Sequence, residues 1–169
     1  MPHLPSVLNQ RPLTLHLTVA HVVDLLSEGW RSWPFETGGV LLGRVSGLRT
    51  DVTVVVGPGP GSRHERSRFE PDTAWQASQI AGLWRDDPSI IYLGDWHTHP
   101  NGSTRLSHVD RRTGLTIAES PQARQPEPIM MVIALATDGA VEVAVHRLIG
   151  PRWREMRLRV NNRTIGSTS

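Results

Sequence analysis

Apolar positions alternate in some stretches of this chain and recur every three or four residues in others, and the change of period divides it into elements. Residues 13–17, LTLHL, alternate as a short strand. Thr18 then suits the N-cap of a helix over about 19–30, on which Val22, Val23, Leu25, Leu26 and Trp30 make an apolar stripe. WPFETGG breaks that helix. Two β-branched runs follow, GGVLLGRV at 38–45 and DVTVVVGPG at 51–59, and the short loop with Gly47 between them predicts a hairpin. The stretch 58–71, rich in Pro, Gly and Arg, reads as an exposed loop carrying His64 and Phe69.

In the second half, Asp72 is placed to cap a helix over about 73–86, with Ala74, Trp75, Ile80, Leu83 and Trp84 mostly on one side. Trp30, Trp75 and Trp84, at helical spacing, read as core rather than as stacking platforms. SIIYLGDW, 89–96, has the character of a buried central strand ending at His97, followed by a polar loop and a helix from Ser107 to about Glu119. After the loop PQARQPEP, the runs 129–137 and 140–149 flank the tight pair Asp138-Gly139 and predict a second hairpin. RWREMRLRV alternates Arg with Met156, Leu158 and Val160, the pattern of a solvated edge strand with a cationic face. Interspersed helices and strands predict an α/β or α+β domain, three layers built on a mixed central sheet flanked by helices. The length of 169 residues suits one domain, 1–169, with a core at about 13–150 and an Arg-rich strand and tail over 151–169.

Composition narrows the chemistry. With 38% hydrophobic and 20% charged residues, the chain is neither disordered nor fibrous. No run approaches the roughly 18 apolar residues of a membrane span, and the opening residues lack a charged segment followed by an apolar one. The expectation is a cytoplasmic protein with no membrane partner. Cysteine is absent, so any metal must be held by His, Asp or Glu. All 18 basic residues are Arg, and against 16 acids they leave a formal charge of +2, too little to predict a nucleic-acid partner. Without lysine, the chain offers no side-chain amine for amide conjugation.

HTHPNGSTRLSHVD, from His97 to Asp110, carries the densest chemistry. On an extended segment, side chains two apart share a face, so His97 and His99 reach one point while Thr98 turns away and Pro100 ends the strand. Asp110, in the first turn of the next helix, is able to swing a carboxylate back toward them. Two His and one carboxylate leave a fourth zinc position open for water, the pattern of a catalytic site. Ser107 to Asp110 also has the spacing of an N-cap followed by a first-turn acid, and both readings hold together. Asp95, two residues before His97, is a candidate partner for a ligating imidazole.

With these residues the chain resembles the JAMM, MPN-plus or JAB, zinc metalloproteases, particularly their short prokaryotic members. The family motif has a Glu on an early strand, then H-x-H, seven residues, Ser, two residues, Asp. Here it reads Glu36 in ETGGVLLG, then His97, His99, Ser107 and Asp110. The resemblance implies an MPN domain with a fold like that of the cytidine deaminases. It also implies Zn2+ on His97, His99 and Asp110, with Glu36 as general base for a zinc-bound water and Ser107 donating to the oxyanion. Glu36 enters on the resemblance alone, because spacing does not place it near the other four. The implied reaction is hydrolysis after the C-terminal glycine of a ubiquitin-like protein, by deconjugation or precursor processing, with conjugation-pathway activating or conjugating enzymes as further partners. The substrate tail would lie extended by the site, as an added strand on an exposed edge. The alternative is a non-catalytic MPN-type scaffold. A nucleoside deaminase is excluded, since its P-C-x-x-C is absent and H-x-H stands in place of H-x-E.

Overall fold

In the computed structural model, residues 11–162 are described. The opening residues 1–10 and positions 163–169 of the C-terminal tail lie outside them. The elements are β1 (Thr14–Thr18), α1 (Val19–Ser32), β2 (Gly38–Ser46), β3 (Arg49–Val56), β4 (Arg63–His64), β5 (Phe69–Glu70), α2 (Thr73–Asp86), β6 (Ile91–Pro100), α3 (His108–Glu119), β7 (Ile129–Leu135), β8 (Val141–Ile149) and β9 (Arg152–Asn161). Both expected hairpins form, β2 with β3 and β7 with β8. No helix among the described residues is long and apolar enough to cross a membrane.

The main sheet is mixed, in the order β1-β3-β2-β6-β7-β8-β9, and it closes because β9 pairs in parallel with β1 from Thr14↔Arg157 to Thr18↔Asn161. This corrects the expectation that the Arg-rich strand is an edge: β8 covers one side of it and β1 the other. Alternation reports that one face of a strand is buried but not how many neighbours it has. Strand pairing in the main sheet therefore runs from β1 round to β9 and back to β1. The stretch 58–71 is likewise more than a loop, since Arg63↔Glu70 and His64↔Phe69 pair into a small ribbon, β4–β5.

One face of the sheet packs on α1, with Leu15, Leu17, Leu41, Leu93, Trp96 and Leu135 among the buried residues. On the opposite face α2 covers Val40, Leu42, Val56 and Ile90 through Trp75, Ile80 and Leu83, while Leu106 and Trp153 cover Met130 and Val132 near α3. Strand β7 is buried on both faces, which is why IMMVIAL is continuously apolar.

Helix α1 begins at the expected cap, but its inward face is His21, Leu25 and Gly29, with Val22 and Leu26 alongside. Two bonds hold His21 inward: its Nδ1 accepts from the Thr18 N–H at 3.2 Å, and its Nε2 donates to the Thr53 carbonyl at 3.1 Å. Val23, 56% exposed, and Trp30, 37% exposed, are consequently on the surface and not in the stripe. Trp30 instead packs on Trp33, with 5.4 Å between ring centroids. Trp75 and Trp84 are half-buried, and Trp96 is the tryptophan that the core encloses.

Strand β6 lies between β2 and β7 and runs through His97 and His99 to Pro100, where the proline ends it as expected. Its register with β2 shifts between Leu41↔Gly94 and Leu42↔Tyr92, so Leu93 is an extra residue. The bulge lets Leu93 and Trp96 both enter the α1-side core and turns Asp95, His97 and His99 to the other face. Gly94 allows it, having φ 148° and no room for a Cβ, which would stand 1.9 Å from the Ile129 carbonyl oxygen.

Gly94→Ala is expected to cost about 2–4 kcal/mol, from backbone strain and overpacking together. Gly139→Ala, at φ 88° in the open β7–β8 turn, adds strain without a clash and is expected to cost about 1 kcal/mol. Urea unfolding of both variants checks the order, and equal losses would remove the role given to the bulge.

Candidate metal centre

The expected ligands converge. His97 Nε2 lies 3.0 Å from His99 Nε2, and Asp110 places Oδ1 3.2 Å from the first and Oδ2 3.6 Å from the second. One donor atom from each of the three fits within 4.8 Å of the others. Strand parity explains the two histidines, and α3 supplies the carboxylate, held near the sheet by Gly114, where a Cβ would stand 2.4 Å from the Trp153 ring.

Asp110 and Ser107 form a capping box at the start of α3. The Ser107 N–H donates to Asp110 Oδ2 at 2.6 Å, and the Asp110 N–H donates to Ser107 Oγ at 3.1 Å. The cap and the convergence with the histidines therefore coexist, as the spacing allows. The loop ahead of the cap is also tied down. Asn101 at φ 54° donates its N–H to the Leu135 carbonyl and accepts through Oδ1 from Thr137, while His146 Nε2 bonds the Thr104 carbonyl. Within this loop the Ser103 carbonyl accepts from His99 Nδ1 at 2.7 Å. A carbonyl only accepts, so Nδ1 carries a proton whatever the ring's charge, and when the ring is neutral its lone pair lies on Nε2, facing the centre, the tautomer a metal ligand requires.

Glu36 comes to the same place by pairing. The register Gly38↔His97, continued by Thr98 N–H donating to the Thr37 carbonyl at 2.8 Å, sets Glu36 level with His99 on the same sheet face. Thr37 and Thr98, both fully buried, lock this seam, with the Thr37 N–H donating to Thr98 Oγ1 at 3.0 Å and the Thr37 hydroxyl to Glu28 on α1 at 3.1 Å. Gly38 lets the strands approach, since a Cβ there would stand 2.3 Å from the Trp96 carbonyl oxygen.

Electrostatics divide the two carboxylates. Burial pushes the Glu36 carboxyl above its ordinary range, and the nearby His99 and His97 only partly offset it. Burial would also raise Asp110, but hydrogen bonds from His97, His99 and the Ser107 N–H outweigh it and hold that carboxyl well below the usual range. His99 is raised: burial works against its charge, and the bonds to Asp110 and the Ser103 carbonyl prevail.

Asp95 shares the ligand face, but it accepts at Oδ1 from the Tyr92 hydroxyl at 2.6 Å. His108 is exposed in the first turn of α3. Glu28, Thr37, Thr98 and Asn101 have supporting roles that residue type alone does not signal, because each depends on a partner distant in sequence.

Residues 18–148 match the family of prokaryotic homologs of the JAB domain. A protein of Sinorhizobium fredii named probable metalloprotease y4qB is 35% identical over 125 residues, covering 72% of this chain and 76% of that one. A protein of Enterobacter hormaechei named CD-NTase/cGAS isopeptidase is 27% identical over 141 residues, covering 82% of this chain and 76% of the relative. The solution structure of protein DSY2949 from Desulfitobacterium hafniense is alike in fold, with a TM-score of 0.69 at 20% identity over 89% of this chain and 95% of that one.

His97→Ala, His99→Ala and Asp110→Ala are each expected to lose bound divalent metal, and elemental analysis of protein purified without added metal checks this. In chelator, the raised His99 contributes stability that is present below pH 6.5 and lost as pH rises through its folded value. The depressed Asp110 contributes stability that is present above pH 3.8 and lost on acidification. The metal-free protein should therefore exceed Asp110→Asn most clearly between about pH 3.8 and 6.5 in urea titrations. A difference independent of pH would remove this ion pair.

Proposed function

The chain belongs to the family of prokaryotic homologs of the JAB domain, and on that premise we propose that it is a zinc-dependent isopeptidase. It hydrolyses the peptide or isopeptide bond after the C-terminal glycine of a ubiquitin-like protein. Relatives named metalloprotease and isopeptidase support the hydrolase class. The observation that carries the reading is the convergence of His97, His99 and Asp110 beside Glu36.

Two imidazoles and one carboxylate suit zinc, with a further position left for solvent or substrate. When bound, zinc supplies Lewis acidity and brings the pKa of water to about 7. Glu36 takes a proton from the attacking water and passes it to the leaving amine. Burial raises its pKa, the direction a general base needs, and a bound cation would act against that shift. Ser107 Oγ accepts from the Asp110 N–H, so its own proton is free to donate to the oxygen that becomes negative at the scissile carbonyl. His99 is held in its ligating tautomer by Ser103. The substrate is a ubiquitin-like protein or its conjugate, and activating and conjugating enzymes of that pathway are its functional neighbours in the cytoplasm. Having no lysine, the enzyme offers no ε-amine to carry the conjugate it removes.

The test uses ubiquitin-like proteins joined through their C-terminal glycine either to a reporter chain or to a lysine of a carrier. Cleavage by the zinc-loaded protein is expected. Glu36→Gln should keep zinc and lose about 10²–10⁴ in turnover, and Ser107→Ala about 10²–10³. Binding without cleavage by the parent protein would favour the scaffold. Near-normal turnover in Glu36→Gln would remove Glu36 as base.

A further inference from the structure

The β4–β5 ribbon is built on two anchors and little else. At its base, Asp72 caps α2 through Oδ1, accepting from the Trp75 N–H, and holds the ribbon through Oδ2, accepting from the Gly61 N–H at 3.0 Å. The Asp72 N–H returns to the Pro58 carbonyl at 2.9 Å. At the other end the ribbon grips the backbone of Glu36 from both sides. The Glu36 N–H donates to the Glu65 carbonyl at 2.8 Å, and His64 Nδ1 donates to the Glu36 carbonyl at 2.9 Å. That ring is itself fixed, by Ser62 Oγ at 2.8 Å from Nε2 and by Phe69, with 5.4 Å between ring centroids.

None of the ribbon's side chains belongs to a hydrophobic cluster among the described residues, and Arg63, Glu65, Arg66 and Arg68 are exposed. A segment that buries so little apolar surface contributes little to the fold, yet its bonds end on the residue that must meet a reacting water. We propose that His64 is a positioning residue for Glu36, fixing the main chain of the general base by a hydrogen bond to its carbonyl and making the β4–β5 ribbon part of the active site. This rests on the reading of Glu36 as base given above. A carboxylate on a one-sided tether sweeps a wider arc, and a displacement of about 1 Å from productive geometry costs on the order of 10²-fold in rate. The bond acts on the main chain of the base, so the effect is expected in kcat.

His64→Ala is expected to lower kcat about 10–100-fold on the reporter fusion, with KM, zinc content and unfolding midpoint near those of the parent. His64→Asn presents an N–H close to the place of Nδ1 and should recover most of the loss. A second readout needs no turnover: hydrogen exchange at the Glu36 amide should quicken in His64→Ala and return toward the parent rate in His64→Asn. Unchanged exchange at Glu36 in His64→Ala, an Asn variant as impaired as Ala, or a rise in KM in place of a fall in kcat would overturn the assignment. If the parent cleaves no fusion, the functional reading fails, and exchange alone decides whether His64 holds Glu36.

Discussion

The site depends on the seam between β2 and β6, where Thr37 and Thr98 bond each other and no water reaches either. Leaving one of these buried groups without a partner costs about 1–3 kcal/mol, so a shifted register is strongly disfavoured. Only in this register does Glu36 stand level with His99, although sixty-odd residues of chain separate them. Gly38 belongs to the same constraint, because any side chain there would push β2 away from Trp96 and His97. Glu28 completes the seam from α1, receiving the hydroxyls of Thr37 and Ser32. Helix α1 thus also holds the entrance of β2.

From that seam the remaining groups follow by simple geometry. The bulge at Leu93 chooses which face of β6 carries the histidines, and the capping box at Ser107 chooses which way Asp110 looks. Two carboxylates then share one neighbourhood with opposite tendencies. Asp110 receives hydrogen bonds and stays ionised, whereas Glu36 is buried and holds protons more readily. Separation of that kind suits the proposed roles, a fixed ligand for one acid and proton transfer for the other.

Much of this was legible in the sequence where the cause is local. Thr18, Asp72 and Ser107 announce three helix starts by residue type, and Gly47 and Asp138-Gly139 announce two hairpins. His97 and His99 are readable as one face because strand parity operates over two residues. Closure of the sheet is not readable, since β1 meets β9 across nearly the whole chain and no composition marks a strand for two partners. The inward turn of His21 was hidden as well, because its polarity argues for the surface until Thr53 is known to stand opposite. The ribbon at 63–70 looked like loop for a related reason: its order comes from Asp72 and Glu36 rather than from its own side chains.

Asp110 serves the fold as well as the site, because the Ser107 N–H and both imidazoles engage its oxygens. The first turn of α3 is thereby pinned by the protein itself.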